Sequence, residues 1–281
     1  MQLLDLHLGK PLTRGALTVF PVWNGNVVSA RGYDLGDAHL TVAERAGSAV
    51  VAELVLTNTG NRPVLVLEGE LLEGGQQHRV AATTCLVAPG SSRVLGVRCV
   101  EAGRWSGSAG HARSGRTAPL SVRGAEGQSA TWERVQRFEQ RYGSSATSSL
   151  LDATRDAGGS AARLVEGLRP LPFQSGVLLC IGGQPVQLEV FDSPRTLASV
   201  WDALLHAAAL DALDLPPVPT PGRRARRFLD RVTAVPLARA DAGLGTGVHG
   251  RSPYARVDAL VWRERAVHIV AMNPRHELVS A

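Results

Sequence analysis

A chain of 281 residues can bury one large core or two ordinary ones, and 44% apolar residues is a globular composition. No apolar run is long enough to span a bilayer, and three cysteines (Cys85, Cys99, Cys180) without a Cys-x-x-Cys pair exclude a disulfide framework. The formal charge of +5 rests almost wholly on arginine, with Lys10 the only lysine, and the arginines are dispersed, so nucleic-acid and membrane partners are not expected.

The first ten residues carry no basic segment ahead of an apolar block, so no signal peptide is expected and the cytoplasm is the default location. Residues 16–29 read as a short strand, a break at Pro21 and Asn24-Gly25, and a second short strand. Residues 39–46 read as a helical turn, and 49–57 as an alternating strand that ends in the turn Asn58–Asn61. From Val64 to Trp105 three runs rich in Val, Leu and Thr are separated by Gly74-Gly75 and Pro89-Gly90-Ser91-Ser92. That is the pattern of three consecutive antiparallel strands.

Counting by two puts Leu95, Val97, Cys99 and Glu101 on one face of the third strand, and Val64, Val66, Glu68 and Glu70 on one face of the first. An apolar face that ends in a carboxylate places that carboxylate at the rim of a core. On the second strand Gln77 and Arg79 share a face with Ala81 and Thr83. Whether these faces converge depends on strand register.

Beyond this stretch, residues 106–127 turn to Gly, Ser, Arg and Ala and read as a loop or linker. A helix is expected over 129–142, and a second over 144–168 broken at Gly158-Gly159. Residues 176–191 read as a hairpin about Gly182-Gly183. Ser193 and Pro194 read as N-cap and first residue of a helix that runs to about Leu213. After the break at Pro216–Pro221 the run Arg223–Arg227 opens a short helix and is read as its solvated face. Strands follow near Val235, Val248, 257–262 and 267–272.

The expected class is α+β: an N-terminal antiparallel β-sandwich or barrel-like sheet, then an α+β portion with two or more helices and a second β-rich run. The expected division is a β-rich portion over 1–120 and an α+β portion over 128–281, which together may be one continuous domain.

Two motifs carry a resemblance. Gly69-Glu70, Gly74-Gly75, Gln77 and Arg79, followed by Cys99-Val100-Glu101 and Gly103-Arg104-Trp105, resemble the ARG and rhodanese-phosphatase-superfamily-associated protein domain, ARG standing for ADP-ribosylglycohydrolase. Gly176–Leu213, Gly243-Leu244-Gly245 and the strand with His268 add weaker matches. The resemblance implies a context of ADP-ribose and phosphoester chemistry and brings no established reaction with it.

The residues themselves allow several chemistries. Glu70 and Glu101 suit a general acid and base, or oxygen ligands to a metal; otherwise they are buried counter-ions of Arg79 or Arg104. Arg79 and Arg104 suit bidentate capture of carboxylate or phosphate, with Gln77 orienting substrate or water. Trp105 suits stacking on a base or sugar, or hinge packing. Cys99 is a nucleophile if a His lies beside it, and otherwise a small buried hydrophobe. His268 is a single candidate base or a satisfied core histidine. Neither Gly74-Gly75 nor Gly243-x-Gly245-x-Gly247 precedes a helix in a βαβ unit, so no nucleotide-cofactor motif is present, and no metal motif either.

The resulting expectation is a cytosolic enzyme of hydrolase or lyase type acting on a small anionic substrate, nucleotide or ADP-ribose related, through Glu70 and Glu101. The alternative is a binding domain that uses the same arginines for recognition and the glutamates as their counter-ions. The identity of any metal or cofactor is left open.

Overall fold

The computed structural model of the chain describes residues 5–280 except 26, 29, 37 and 48. In chain order it forms β1 (Leu6–Leu8), β2 (Leu12–Arg14), β3 (Leu17–Asn24), β4 (Leu40–Ala43), β5 (Glu53–Asn58), β6 (Val64–Val66) and β7 (Glu70–Gly74). Then come β8 (Arg79–Ala81), β9 (Cys85–Val87), β10 (Ser91–Cys99) and β11 (Gly110–Thr117). Four helices follow: α1 (Leu120–Gly124), α2 (Gly127–Tyr142), α3 (Leu150–Ala153) and α4 (Arg155–Val165). The chain ends with β12 (Gly176–Ile181), β13 (Gln184–Phe191), α5 (Pro194–Ala212), α6 (Gly222–Thr233), β14 (Ala238–Asp241), β15 (Thr246–Arg251), β16 (Arg256–Trp262) and β17 (Arg265–Met272). The class is α+β, as the sequence implies.

The chain divides into a discontinuous unit, residues 1–31 with 160–281, and an inserted unit, residues 32–159. That is not the division at 120–128 expected from composition. β1 to β3 fall in the discontinuous unit, where β3 pairs with β12 from Leu17↔Ile181 to Val22↔Gly176. Helix α2 falls in the inserted unit.

The inserted unit is a closed antiparallel barrel in the order β10-β5-β4-β11-β7-β8. Strand alternation fills it. Leu40 and Val42, Leu54 and Leu56, and Leu95 and Val97 are buried in one cluster with Leu72 and Ala81, whereas Val94, next to Leu95 and on the opposite face, is 50% exposed. Val64, Val66, Cys85 and Val87 of the β6–β9 pair belong to the same cluster. Each large side chain removed from water there stabilises by about 1.5–3 kcal/mol.

Several local expectations change, and β3 runs unbroken through Pro21 as α4 does through Gly158-Gly159. The strand from Val64 does not run through Glu70. It breaks at Gly69, whose φ of +83° is open to glycine and whose missing side chain lets the Arg123 guanidinium pass. The three runs thus become five strands. Residues 40–43 are a strand and not a helical turn. The Gly-, Ser- and Arg-rich segment after Trp105 contains β11, which bonds to β4 on one edge and β7 on the other. Pairing on both edges holds it in place of apolar side chains.

The discontinuous unit is a nine-stranded antiparallel sheet in the order β1-β3-β12-β13-β17-β16-β15-β14, with β2 against β3. Phe228, Leu229 and Val232 of α6 join Leu178, Leu188, Val190 and Ile269 in its main core. Helix α5 packs on β3, β12 and β13 and buries Leu197, Trp201 and Leu204. Ser193 Oγ caps it by accepting from Arg195 N, and Pro194 opens it, as the sequence predicts. Among the described residues no helix is long and apolar enough to cross a membrane.

Candidate functional site

Register brings the second and third motif strands together. Arg79 on β8 lies opposite Leu72 on β7 and Cys99 on β10. Leu72 faces the barrel core, so Arg79 and Cys99 face inward as well; Gln77, two residues before Arg79, and Glu101, two residues after Cys99, lie at the same end of the barrel because β8 and β10 are antiparallel. Segment 100–103 then pairs with 147–150: Glu101 bridges Ser149, Gly103 N donates to Thr147 O at 2.8 Å, and Leu150 N donates to Val100 O at 2.9 Å.

Glu101 is 2% exposed and its carboxylate is fully engaged. Oε1 accepts from Arg104 Nε at 2.9 Å and Thr147 Oγ1 at 2.8 Å; Oε2 accepts from Arg104 Nη2 at 2.7 Å and the His78 backbone N–H at 2.9 Å. A carboxylate has about four acceptor positions, so none is left. Burial alone would raise its pKa, but Arg104, the His78 amide and Thr147 outweigh burial and hold it below the usual carboxylate value.

Arg104 is equally saturated. Besides its two bonds to Glu101, Nη1 donates to Gly75 O and Ser106 O, both at 2.7 Å, and Nη2 to Gly74 O at 3.2 Å. Those bonds use the five donors of a guanidinium. The bond to Glu101, first, raises its pKa. Arg104 therefore clamps the Gly74-Gly75 turn to the end of β10.

Gln77 is spent as well. Its Nε2 donates to Glu101 O at 2.8 Å, while Oε1 accepts from Arg79 Nη1 at 3.1 Å and the Cys99 thiol at 3.2 Å. Cys99 is wholly buried, and burial pushes its thiol pKa up. It behaves as a small core residue. His78 accepts from Gly74 N at Nδ1, and its Nε2 is 3.6 Å from Glu101 Oε2. Burial lowers its pKa, and with Nδ1 occupied the neutral ring offers no free lone pair.

Arg79 differs from all of these. It is completely buried, yet its Nε and Nη2 have no hydrogen-bond partner. These two nitrogens form the side-on fork by which Arg104 grips Glu101. The nearest carboxylate oxygen is Glu44 Oε1, 3.9 Å from Nη2. That oxygen already accepts from Gln76 N and bonds His111 Nε2, each at 3.1 Å, while Glu44 Oε2 has no partner. Trp105, 52% exposed, lies with its ring centroid 5.9 Å from the Arg79 guanidinium carbon.

Glu70 is elsewhere in the barrel. It stands two residues before Leu72 on β7, whereas Glu101 stands two residues after Cys99 on the parallel-running β10. The two are thus about 13 Å apart along the strands alone. Arg113 grips Glu70 through Nε at 2.5 Å and Nη2 at 2.8 Å and also bonds Leu35 O and Leu65 O. The neighbouring Glu68 is gripped by Arg123. His268 belongs to the discontinuous unit, where it bonds Glu189 at 2.5 Å, stacks on Phe191 and is 1% exposed.

Sequence reasoning missed Glu44, His111, Arg113 and Thr147. A signal for Glu44 existed: Leu40, Val42 and Glu44 repeat the apolar-face-ending-in-carboxylate pattern of Leu95, Val97, Cys99 and Glu101. Among the described residues no group of three His, Cys, Asp or Glu side chains is placed to hold a metal ion.

No curated protein and no solved structure matches the chain. The family described as ARG and Rhodanese-Phosphatase-superfamily-associated Protein domain matches residues 5–272, which takes in both units and every residue of the network at the barrel end. The chain belongs to that family.

Proposed function

We propose that the barrel unit recognises a small anionic ligand through Arg79, with Glu101 and Glu44 as fixed counter-ions of the surrounding network. One observation carries this reading: a fully buried guanidinium whose side-on fork, Nε and Nη2, has no hydrogen-bond partner. Leaving a buried charged donor unmatched costs more than about 1–3 kcal/mol, and a carboxylate or phosphate restores that loss in two parallel bonds. The half-exposed indole of Trp105 beside it supplies a stacking face at the surface.

The family's name records an association with ADP-ribosylglycohydrolase and rhodanese-phosphatase proteins, so a phosphate-bearing ligand of nucleotide or ADP-ribose type is the class we assign. The acid–base reading of Glu70 and Glu101 has less support. An acid or base needs a lone pair or proton to exchange, and both carboxylates are gripped in two-pronged arginine pairs. Three buried free thiols agree with a reducing, cytoplasmic setting.

The test is calorimetric titration with phosphate, ADP and ADP-ribose, alongside a turnover assay on the same compounds. Arg79→Lys keeps the charge and loses the planar fork, so affinity should fall by about tenfold or more. Trp105→Ala, at an exposed position, should weaken an aromatic ligand and leave phosphate unchanged. A folded Arg79→Lys protein that binds as the wild type does would sink the proposal. Turnover that survives Arg79→Lys and vanishes in Glu101→Gln would restore the enzymatic reading.

A further inference from the structure

The arginine run after the proline break does more than face solvent. Helix α6 carries Arg223, Arg224, Arg226, Arg227 and Arg231, and none of them makes an ion pair among the described residues. Arg224, Arg227 and Arg231 recur at i, i+3 and i+7, which puts them on one face within two turns, about 10 Å along the axis. They line a cavity of ≈ 220 Å³ together with Gln184, Asn273 and the apolar side of Phe228.

Two of the three are pre-positioned. Arg224 Nη1 donates to Gly183 O at 2.8 Å. The Arg231 guanidinium lies 4.1 Å from the Tyr254 ring centroid, and Arg275 lies 4.3 Å from the same ring. Such anchoring lowers the ordering entropy that a ligand would otherwise have to overcome. Like charges this close repel within a Debye length of about 8–10 Å, and an anion among them removes the repulsion.

Size narrows the ligand. Cavities that enclose a drug-sized molecule measure about 300–1,000 Å³. This one is smaller and admits a head group with the rest of the molecule outside. The three arginines are spread over about 10 Å of the helix axis, which is more than the span of one phosphate. We propose that the pocket of α6 holds the oligophosphate head of a di- or triphosphate ligand, at a site separate from Arg79. The source is free oligophosphate or the tail of a nucleotide.

Calorimetric titration of the full chain with inorganic pyrophosphate and with ADP, at about 0.1 M salt, reads this directly. In the Arg79→Lys background, which removes the barrel site, the expected result is one remaining site whose affinity falls by about tenfold when Arg227→Gln is added and stays within about twofold when Arg226→Gln is added. Arg226 is on the same helix outside the cavity lining, so it controls for overall charge. Equal affinities for the two probes identify free oligophosphate, and a tenfold preference for ADP identifies a nucleotide tail. Three results would overturn the proposal. One is no binding of either probe at about 1 mM. Another is an equal loss in Arg226→Gln and Arg227→Gln. The third is a single-stranded oligonucleotide that displaces pyrophosphate at equal phosphate concentration, which would reassign the face to nucleic acid.

Discussion

At the scale of single residues, the barrel end separates side chains that are spent, such as Glu101, Arg104 and Gln77, from Arg79, whose whole side-on fork is unmatched. Glu101 and Arg104 saturate each other and the chain around them, and that makes them a clamp. Glu101→Gln keeps the shape, removes the charge and leaves Arg104 without its anion. It should destabilise the protein by about 3–5 kcal/mol in urea unfolding. The sign with pH follows from the lowered pKa of Glu101. Its stabilisation is present above its ordinary value of 4.5 and is lost as pH falls through the lower folded value. The gap in stability between wild type and Glu101→Gln should therefore narrow as pH is taken below about 4.5. A gap that stays constant with acid would show that the carboxylate's charge is not what the fold uses.

At the scale of elements, the turn between β7 and β8 is where backbone freedom matters most. Gly75 has φ +57°, and a Cβ there would lie 1.9 Å from His111 Nε2, the ring bonded to Glu44. Gly90, before β10, has φ +61° with nothing within 4 Å of the added carbon. Gly90→Ala should then show backbone strain alone, about 1–2 kcal/mol. Gly75→Ala should add displacement of His111 and cost on the order of 3 kcal/mol or more. Urea midpoints of the two variants compare strain with strain plus clash; equal losses would mean that the His111–Glu44 contact contributes little. Another element, the first turn of α2, reads as a plain amphipathic helix start, yet Gln128 bonds both Cys99 N and Cys99 O at 2.8 Å. It completes the end of β10 as a strand partner would, and nothing local in the sequence marks that role.

At the scale of the whole molecule, the inserted unit closes on itself. Among the described residues its six barrel strands pair in a closed ring, and the cluster that fills the ring draws on residues 40–97. A fragment of residues 32–159 should therefore fold alone and unfold in one cooperative urea transition, with β-sheet circular dichroism. A fragment without such a transition would mean that the barrel depends on the rest of the chain. The discontinuous unit cannot form until β3 meets β12 across the insertion, a pairing of high sequence separation that should make it the slower of the two to fold.

The sequence by itself determined what short-range physics controls. Alternation gave the barrel strands their inward faces and placed Glu101 at the end of one. Glycine pairs located the turns, as at Gly182-Gly183, and Ser193 with Pro194 fixed the start of α5. Tertiary structure alone decided the rest. Register set Arg79 beside Cys99 and moved Glu70 into a separate pair with Arg113, because side-chain period says which face a residue is on and not which strand lies next to it. Barrel closure turned the Gly- and Ser-rich segment at Gly110–Thr117 into a strand, since bonds on both edges come from residues distant in the chain. The unmatched fork of Arg79 is of the same kind: whether a guanidinium is satisfied depends on every segment folded around it, and no local pattern carries that sum.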